Sequence, residues 1–230
     1  RQIWCNSFYC ELLTSILMPS NIRKIQNHEL KQAGSRRQEN TRSQRECFLI
    51  VCEGKETEPL YFKSFQCQVR PNSITIIGGA GDPLGVVNKA IKQKNANQGL
   101  FTQIWTVFDR DEAPSFNQAI NRAKSNKIKC AWSNEAFELW FILHFNLMEN
   151  AVSRKQYANI INKAIGNKFH YEKTTPNMYQ ILQKHGNQQQ AITNAKAIEK
   201  QHHGVDYATH NPCTKIYKLI EELNKIIDQK

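Results

Sequence analysis

Between Cys47 and Trp132 the chain alternates short apolar runs with longer segments of mixed character. Cys47-Phe-Leu-Ile-Val-Cys52 has no charged or strongly polar side chain, the pattern of a strand covered on both faces. Thr57-Glu58-Pro59 then opens a helix, since proline is tolerated in a first turn, and Tyr61, Phe62 and Phe65 form its apolar stripe. Ser73 to Ile77 is rich in β-branched residues and predicts a second strand; Gly78 to Pro83 breaks it, and a helix follows over 84–95. Ile104 to Phe108 predicts a third strand, 115–125 a helix, and Ile128 to Trp132 a fourth strand. Strands alternating with helices of about ten residues predict an α/β fold, a mostly parallel sheet flanked by helices.

After Ser133 the alternation stops. Asn134 is placed to cap a strongly apolar helix over 136–145, and helical periods follow at 155–164, 175–184, 189–201 and 215–227. Three regions result: a basic, poorly packed segment 1–46, an α/β core 47–146 and a helical region 147–230. Residue 1 is Arg, and Met18, ahead of a polar and basic run, looks the more natural beginning. The apolar stretch from Leu12 to Ile22 is broken by Thr14, Ser15, Pro19, Ser20 and Asn21, which predicts no membrane span.

Composition narrows the class. With 40% hydrophobic and 22% charged residues in 230, the chain is neither disordered nor fibrous. Seven cysteines without a repeating spacing predict reduced thiols in a cytoplasmic protein. A net charge of +11 favours polyanionic partners, nucleic acid among them. Regional nets are +4, +2 and +5 from the amino to the carboxyl end.

The acids are less evenly spread. Six of the nine in 47–146 fall in two windows, Glu53, Glu56 and Glu58 after the first strand and Asp109, Asp111 and Glu112 after the third. Both windows lie beyond the carboxyl ends of apolar strands, the edge at which open α/β sheets bind ligands. Converging carboxylates raise one another's pKa unless a cation neutralises them, and Mg²⁺ or Mn²⁺ suits oxygen ligands. If the segment stays extended, Asp109 and Asp111 point the same way and face one ion. Gly54 lets the backbone approach a ligand closely. The glycines at 78, 79, 81 and 85 read as a flexible turn rather than a Walker loop. Read alone, His144 is a core histidine, and His202, His203 and His210 are surface residues.

Three blocks together resemble the RloB family: Phe48-Leu-Ile-Val-Cys-Glu-Gly-Lys-Glu-Thr-Glu-Pro-Leu-Tyr-Phe62, Val107-Phe-Asp-Arg-Asp-Glu112, and Ser133-Asn-Glu-Ala-Phe-Glu-Leu-Trp-Phe-Ile-Leu-His-Phe145. The tail Asn211-Pro-Cys-Thr-Lys-Ile-Tyr-Lys-Leu-Ile220 is similar to the family's final helix entry. The resemblance implies a Toprim-like core and a place in bacterial and archaeal phage defence, often beside an ATPase, RloA. It makes Glu53 the Toprim glutamate and Asp109 with Asp111 the paired aspartates. Glu138 and His144 become active-site or site-supporting residues, as do Ser133 and Asn134. Lys55 and Glu56 stand exchanged relative to the family's usual order, and Glu135-Ala136 replaces its usual Pro-Cys.

These readings converge on a Mg²⁺- or Mn²⁺-dependent phosphodiester nuclease with Glu53, Asp109 and Asp111 as metal ligands. Lys55, Arg154, Lys155, Lys163, Lys168 and Lys173 are the expected phosphate contacts. The alternative is a non-catalytic subunit that binds nucleic acid or an ATPase. A topoisomerase of related fold would also need a separate domain carrying a nucleophilic tyrosine, for which these 230 residues are not expected to have room.

Overall fold

Residues 46–166 and 168–228 are described by the computed structural model, so the basic segment before residue 46 lies outside the described part. Strand β1 (Phe48–Cys52) is buried at all five positions, as its unbroken apolar run requires. Then come α1 (Thr57–Gln66), β2 (Ile74–Ile77), α2 (Pro83–Ala96), β3 (Gln103–Asp109), α3 (Phe116–Ser125) and β4 (Lys129–Asn134). Asp82 caps α2, accepting a hydrogen bond from the Gly85 N–H at 3.3 Å.

The sheet order is β2-β1-β3-β4-β5, with the first four strands parallel. From β1 the chain goes first to one side, to β2, and then to the other, to β3. The strand order therefore reverses at β1, and the crevice between the carboxyl ends of β1 and β3 is the expected ligand site of such a sheet.

Strand β5 (Cys213–Thr214) was not expected. It pairs antiparallel with Ser133 and Asn134 of β4, and two residues are too few to leave an alternating pattern. The Ser133 and Thr214 hydroxyls bond to each other at 2.9 Å in the buried interior.

The apolar helix is shorter than its sequence suggests: α4 spans Glu138–Ile142, with Phe137 at its amino end. Asn134 remains in the strand and its amide donates to the Ala208 carbonyl at 3.0 Å, so it is not the cap. A 3₁₀ turn, Arg154–Gln156, leads into α5 (Tyr157–Ile165), followed by α6 (Met178–His185), α7 (Gln188–Lys200) and α8 (Ile216–Asp228).

Helices α2 and α3 pack on each other and on the central strands, whereas α1 packs on β2 and α6, and α4 on α5 and α7. An aromatic cluster joins the second group. The Tyr61 ring lies 5.7 Å from Phe137, 5.5 Å from Phe141 and 5.6 Å from Tyr179, and the Trp140 indole N–H donates to the Tyr61 hydroxyl at 2.8 Å. Each fully buried ring contributes roughly 1.5–3 kcal/mol. The cluster also fixes the starts of α1 and α4 relative to each other, which matters for the acids they carry.

The five described cysteines are unpaired. His210 is buried, not a surface residue: its ring stacks on His202 with centroids 5.0 Å apart and also faces Trp132. Among the described residues no helix is long and apolar enough to cross a membrane.

Candidate functional site

A cleft of about 320 Å³ opens where β1 and β3 end. Six carboxylates line it, Glu53, Glu56, Glu58, Asp109, Asp111 and Glu138, against three cations, Lys55, Arg154 and Lys173. Glu53 directly follows β1 and Asp109 is the last residue of β3, so strand register alone brings them together. The Glu53 carboxylate accepts the Asp109 N–H at 2.9 Å, tying the two strand ends side to side.

Glu58 comes from the first turn of α1. Its carboxylate accepts the Gly54 N–H at 3.2 Å, and a Cβ on Gly54 would lie 2.3 Å from Glu58 Oε2. The glycine thus makes room for a neighbouring carboxylate. The loop after β2 closes this side, with the Gly79 N–H donating to Gly54 O at 2.9 Å. Glu138 opens α4, is 7% exposed, and accepts a hydrogen bond from the Tyr171 hydroxyl at 3.1 Å.

Asp111 arrives differently from the expectation. The chain leaves the extended conformation after Asp109, and Asp111 sits in a turn with φ 38°. It borders the cleft with its carboxylate paired to the Arg154 guanidinium. Arg154 is itself fixed by its backbone N–H, which donates to the Glu135 carboxylate at 2.8 Å.

Burial and mutual repulsion dominate the electrostatics. Burial pushes the Glu53 carboxyl up to about 7; the Asp109 N–H opposes the shift, and Glu58 and Asp82 add to it. The Glu58 carboxyl is also raised, first by burial, against the Gly54 hydrogen bond. Asp109 is raised well above the ordinary range by burial and then by Glu58, Glu138 and Glu53. Its Oδ1 is shut off from water and has no hydrogen-bond partner.

A cation fits these observations, because it would satisfy the orphaned Asp109 oxygen and relieve the repulsion. Among the described residues, however, no three Asp, Glu, His or Cys side chains form a ready ligand shell. The cleft does bring Glu53, Asp109 and Asp111 to one place. One Glu53 oxygen holds the β3 backbone and Asp111 is occupied by Arg154, so of the three it is Asp109 that keeps a buried carboxylate oxygen without a partner.

Of the expected phosphate contacts, Lys55, Arg154 and Lys173 line the cleft. Arg154, Lys155 and Lys173 also line an adjoining hollow of about 580 Å³, with Tyr157 and Tyr171. Lys163, in the last turn of α5, and Lys168 lie outside both. His144 is 2% exposed in the core and does not line the cleft. Its Nδ1 faces the Trp140 carbonyl at 2.9 Å, its Nε2 has no partner, and burial lowers its pKa to about 4. Ser133 and Asn134 serve the β4–β5 edge.

Sequence reasoning left Glu58 and Tyr171 without roles. Glu58 was legible as an acid in the first turn of a helix that follows a ligand-facing strand end. Tyr171 carried no local signal.

Fold and site together define an α/β protein with an acidic, cation-flanked cleft at the switch point of a mostly parallel sheet. The family model described as RloB-like protein matches residues 48–223, well over half the chain, and the protein belongs to that family. Comparison with curated proteins gives no match, and neither does comparison with solved structures.

Proposed function

We propose that this RloB-like protein is a Mg²⁺- or Mn²⁺-dependent phosphodiester nuclease of Toprim type acting in phage defence. The observation that carries the reading is the buried, unpartnered Asp109 Oδ1 among raised carboxylates at the sheet's switch point. Asp109 would hold the ion, with Asp111 joining where Arg154 releases it. When bound, the ion supplies Lewis-acid polarisation of a phosphoryl oxygen.

The chain's own residues do the rest. Glu53, with a carboxyl near neutrality, takes the proton of the attacking water as the water oxygen bonds to phosphorus and the ester oxygen leaves. Its hydrogen bond to the Asp109 N–H fixes its direction. Lys55, Arg154 and Lys173 bind the phosphates, and Tyr171 orients Glu138 at the cleft wall. A toxic nuclease needs restraint, and an RloA-like ATPase is the proposed partner.

The test is cleavage of labelled RNA and DNA with Mg²⁺, Mn²⁺ or EDTA, comparing wild type with Asp109→Asn. Metal-dependent cutting by wild type and its loss in a folded variant support the reading; equal cutting by both removes it. A second reading, an adaptor that binds without cutting, draws on the Arg154–Asp111 ion pair, which already neutralises one of the paired aspartates. Inactivity under all conditions with nucleic-acid binding retained would favour it.

A further inference from the structure

A second surface differs in sign from the acidic cleft. Two hollows of about 620 and 580 Å³ share Glu199, Tyr207 and Lys215, and so form one continuous concave surface. Seven lysines and one carboxylate line it. That carboxylate offers little to a cationic partner. Burial opposes ionisation of Glu199, yet Lys215, Tyr217 and Lys218 hold its pKa down to about 2, so its charge is consumed internally.

Three of the lysines stand differently. Lys124 at the end of α3, Lys127 in the loop that follows and Lys200 at the end of α7 are exposed and have no acidic partner among the described residues. Rings are interleaved with the charges: His203 is exposed, and His202 and Tyr207 are partly so. An acidic protein would need only the ammonium groups. Lysines together with the exposed His203 ring, beside the partly exposed His202 and Tyr207 that pack on His210, match the backbone and the bases of an unpaired nucleic-acid strand.

The surface shares no lining residue with the cleft. Lys127 and Lys129 lie at the amino end of β4, whereas the acids lie where β1 and β3 end. For these two lysines that is the opposite edge of the parallel sheet, about 20 Å away, whereas His202 and Lys215 bond beside β5, at the carboxyl end of β4.

We infer that this surface, centred on Lys124, Lys127 and Lys200, is a non-catalytic binding site for single-stranded nucleic acid. It is built from none of the cleft's residues and does not depend on the cleft having nuclease activity.

The test uses the full chain in EDTA and a fluorescent single-stranded oligonucleotide, with anisotropy read across a salt series. K124A/K127A/K200A is compared with wild type and with the cleft variant K55A/K173A. Loss of three phosphate contacts should weaken binding roughly tenfold or more and flatten the slope of log affinity against log salt by about 2. These are exposed side chains, and an unchanged circular dichroism spectrum verifies the fold.

Unaltered affinity and slope in K124A/K127A/K200A would overturn the inference, as would complete loss in K55A/K173A with none in the triple variant. A poly-glutamate peptide competing as well as the oligonucleotide would also overturn it, marking the surface as a dock for an acidic protein. Because no cleavage is measured, failure of the nuclease reading leaves these outcomes intact.

Discussion

Replacing Glu53 with Gln should stabilise the metal-free protein. The wild-type carboxyl rises from 4.5 to about 7 on folding, chiefly through burial. A carboxyl whose folded pKa lies above its unfolded value takes up protons on folding. Its stabilising effect is therefore complete below pH 4.5 and is lost as pH rises through 7. A rise of this size corresponds to about 3 kcal/mol for a fully enclosed group. Glu53 is only half-buried, and screening by water reduces the figure to roughly 1–2 kcal/mol. Glutamine keeps the shape and can still accept the Asp109 N–H, so the substitution removes charge and little else. Urea unfolding in EDTA should show the variant more stable than wild type by about that amount at pH 8, with the gap closing towards pH 4.5. Saturating Mg²⁺ should narrow the gap at pH 8, because a bound cation offsets the same repulsion. A variant equal to or weaker than wild type at pH 8, with an unchanged denaturant slope, would refute the claim that burial, reinforced by repulsion, disfavours the Glu53 charge in this cleft.

Three other substitutions test neighbouring parts of the argument. Gly54→Ala should push the Glu58 carboxylate aside, since the new methyl would lie 2.3 Å from its oxygen; cleavage should fall at least tenfold while urea stability changes by less than about 1.5 kcal/mol. His144→Phe should flatten the acid limb of the stability profile. The wild-type imidazole has a folded pKa of about 4 against 6.5 unfolded, so it costs stability as pH falls below 6.5, approaching about 3 kcal/mol under pH 4. Urea midpoints across pH 4–7 for the two proteins provide the measurement. Tyr61→Phe should cost about 1–3 kcal/mol in the same assay, because it strands the buried Trp140 indole N–H.

Much of the fold was legible because β1 and the centre of β3 are covered on both faces and so read as apolar runs. The main acids were legible because they sit immediately after two such runs; Glu53 and Asp109 needed only the adjacency of β1 and β3 to meet. What escaped depends on contacts distant in sequence. The Arg154–Asp111 pair joins residues 43 apart, and the Tyr171–Glu138 bond joins residues 33 apart. No periodicity encodes either. Helix α4 was overestimated because a buried aromatic run looks alike in helix and in turn: Phe137 and Phe145 both pack in the interior outside the regular helix. Strand β5 left no pattern because two residues have no period.

That short final strand has a consequence for timing. Ser133 and Asn134 find their partners, Thr214 and the Ala208 carbonyl, some 80 residues later in the chain. During synthesis the β4 edge therefore stands bare, and the segment leading into Glu138 stays unsupported, until Cys213 and Thr214 have left the ribosome. A chain interrupted before Cys213 would present an open sheet edge prone to sticking to its neighbours, and an unfinished cleft. The cleft can thus be completed only after β5 has been made, an order that the topology alone imposes.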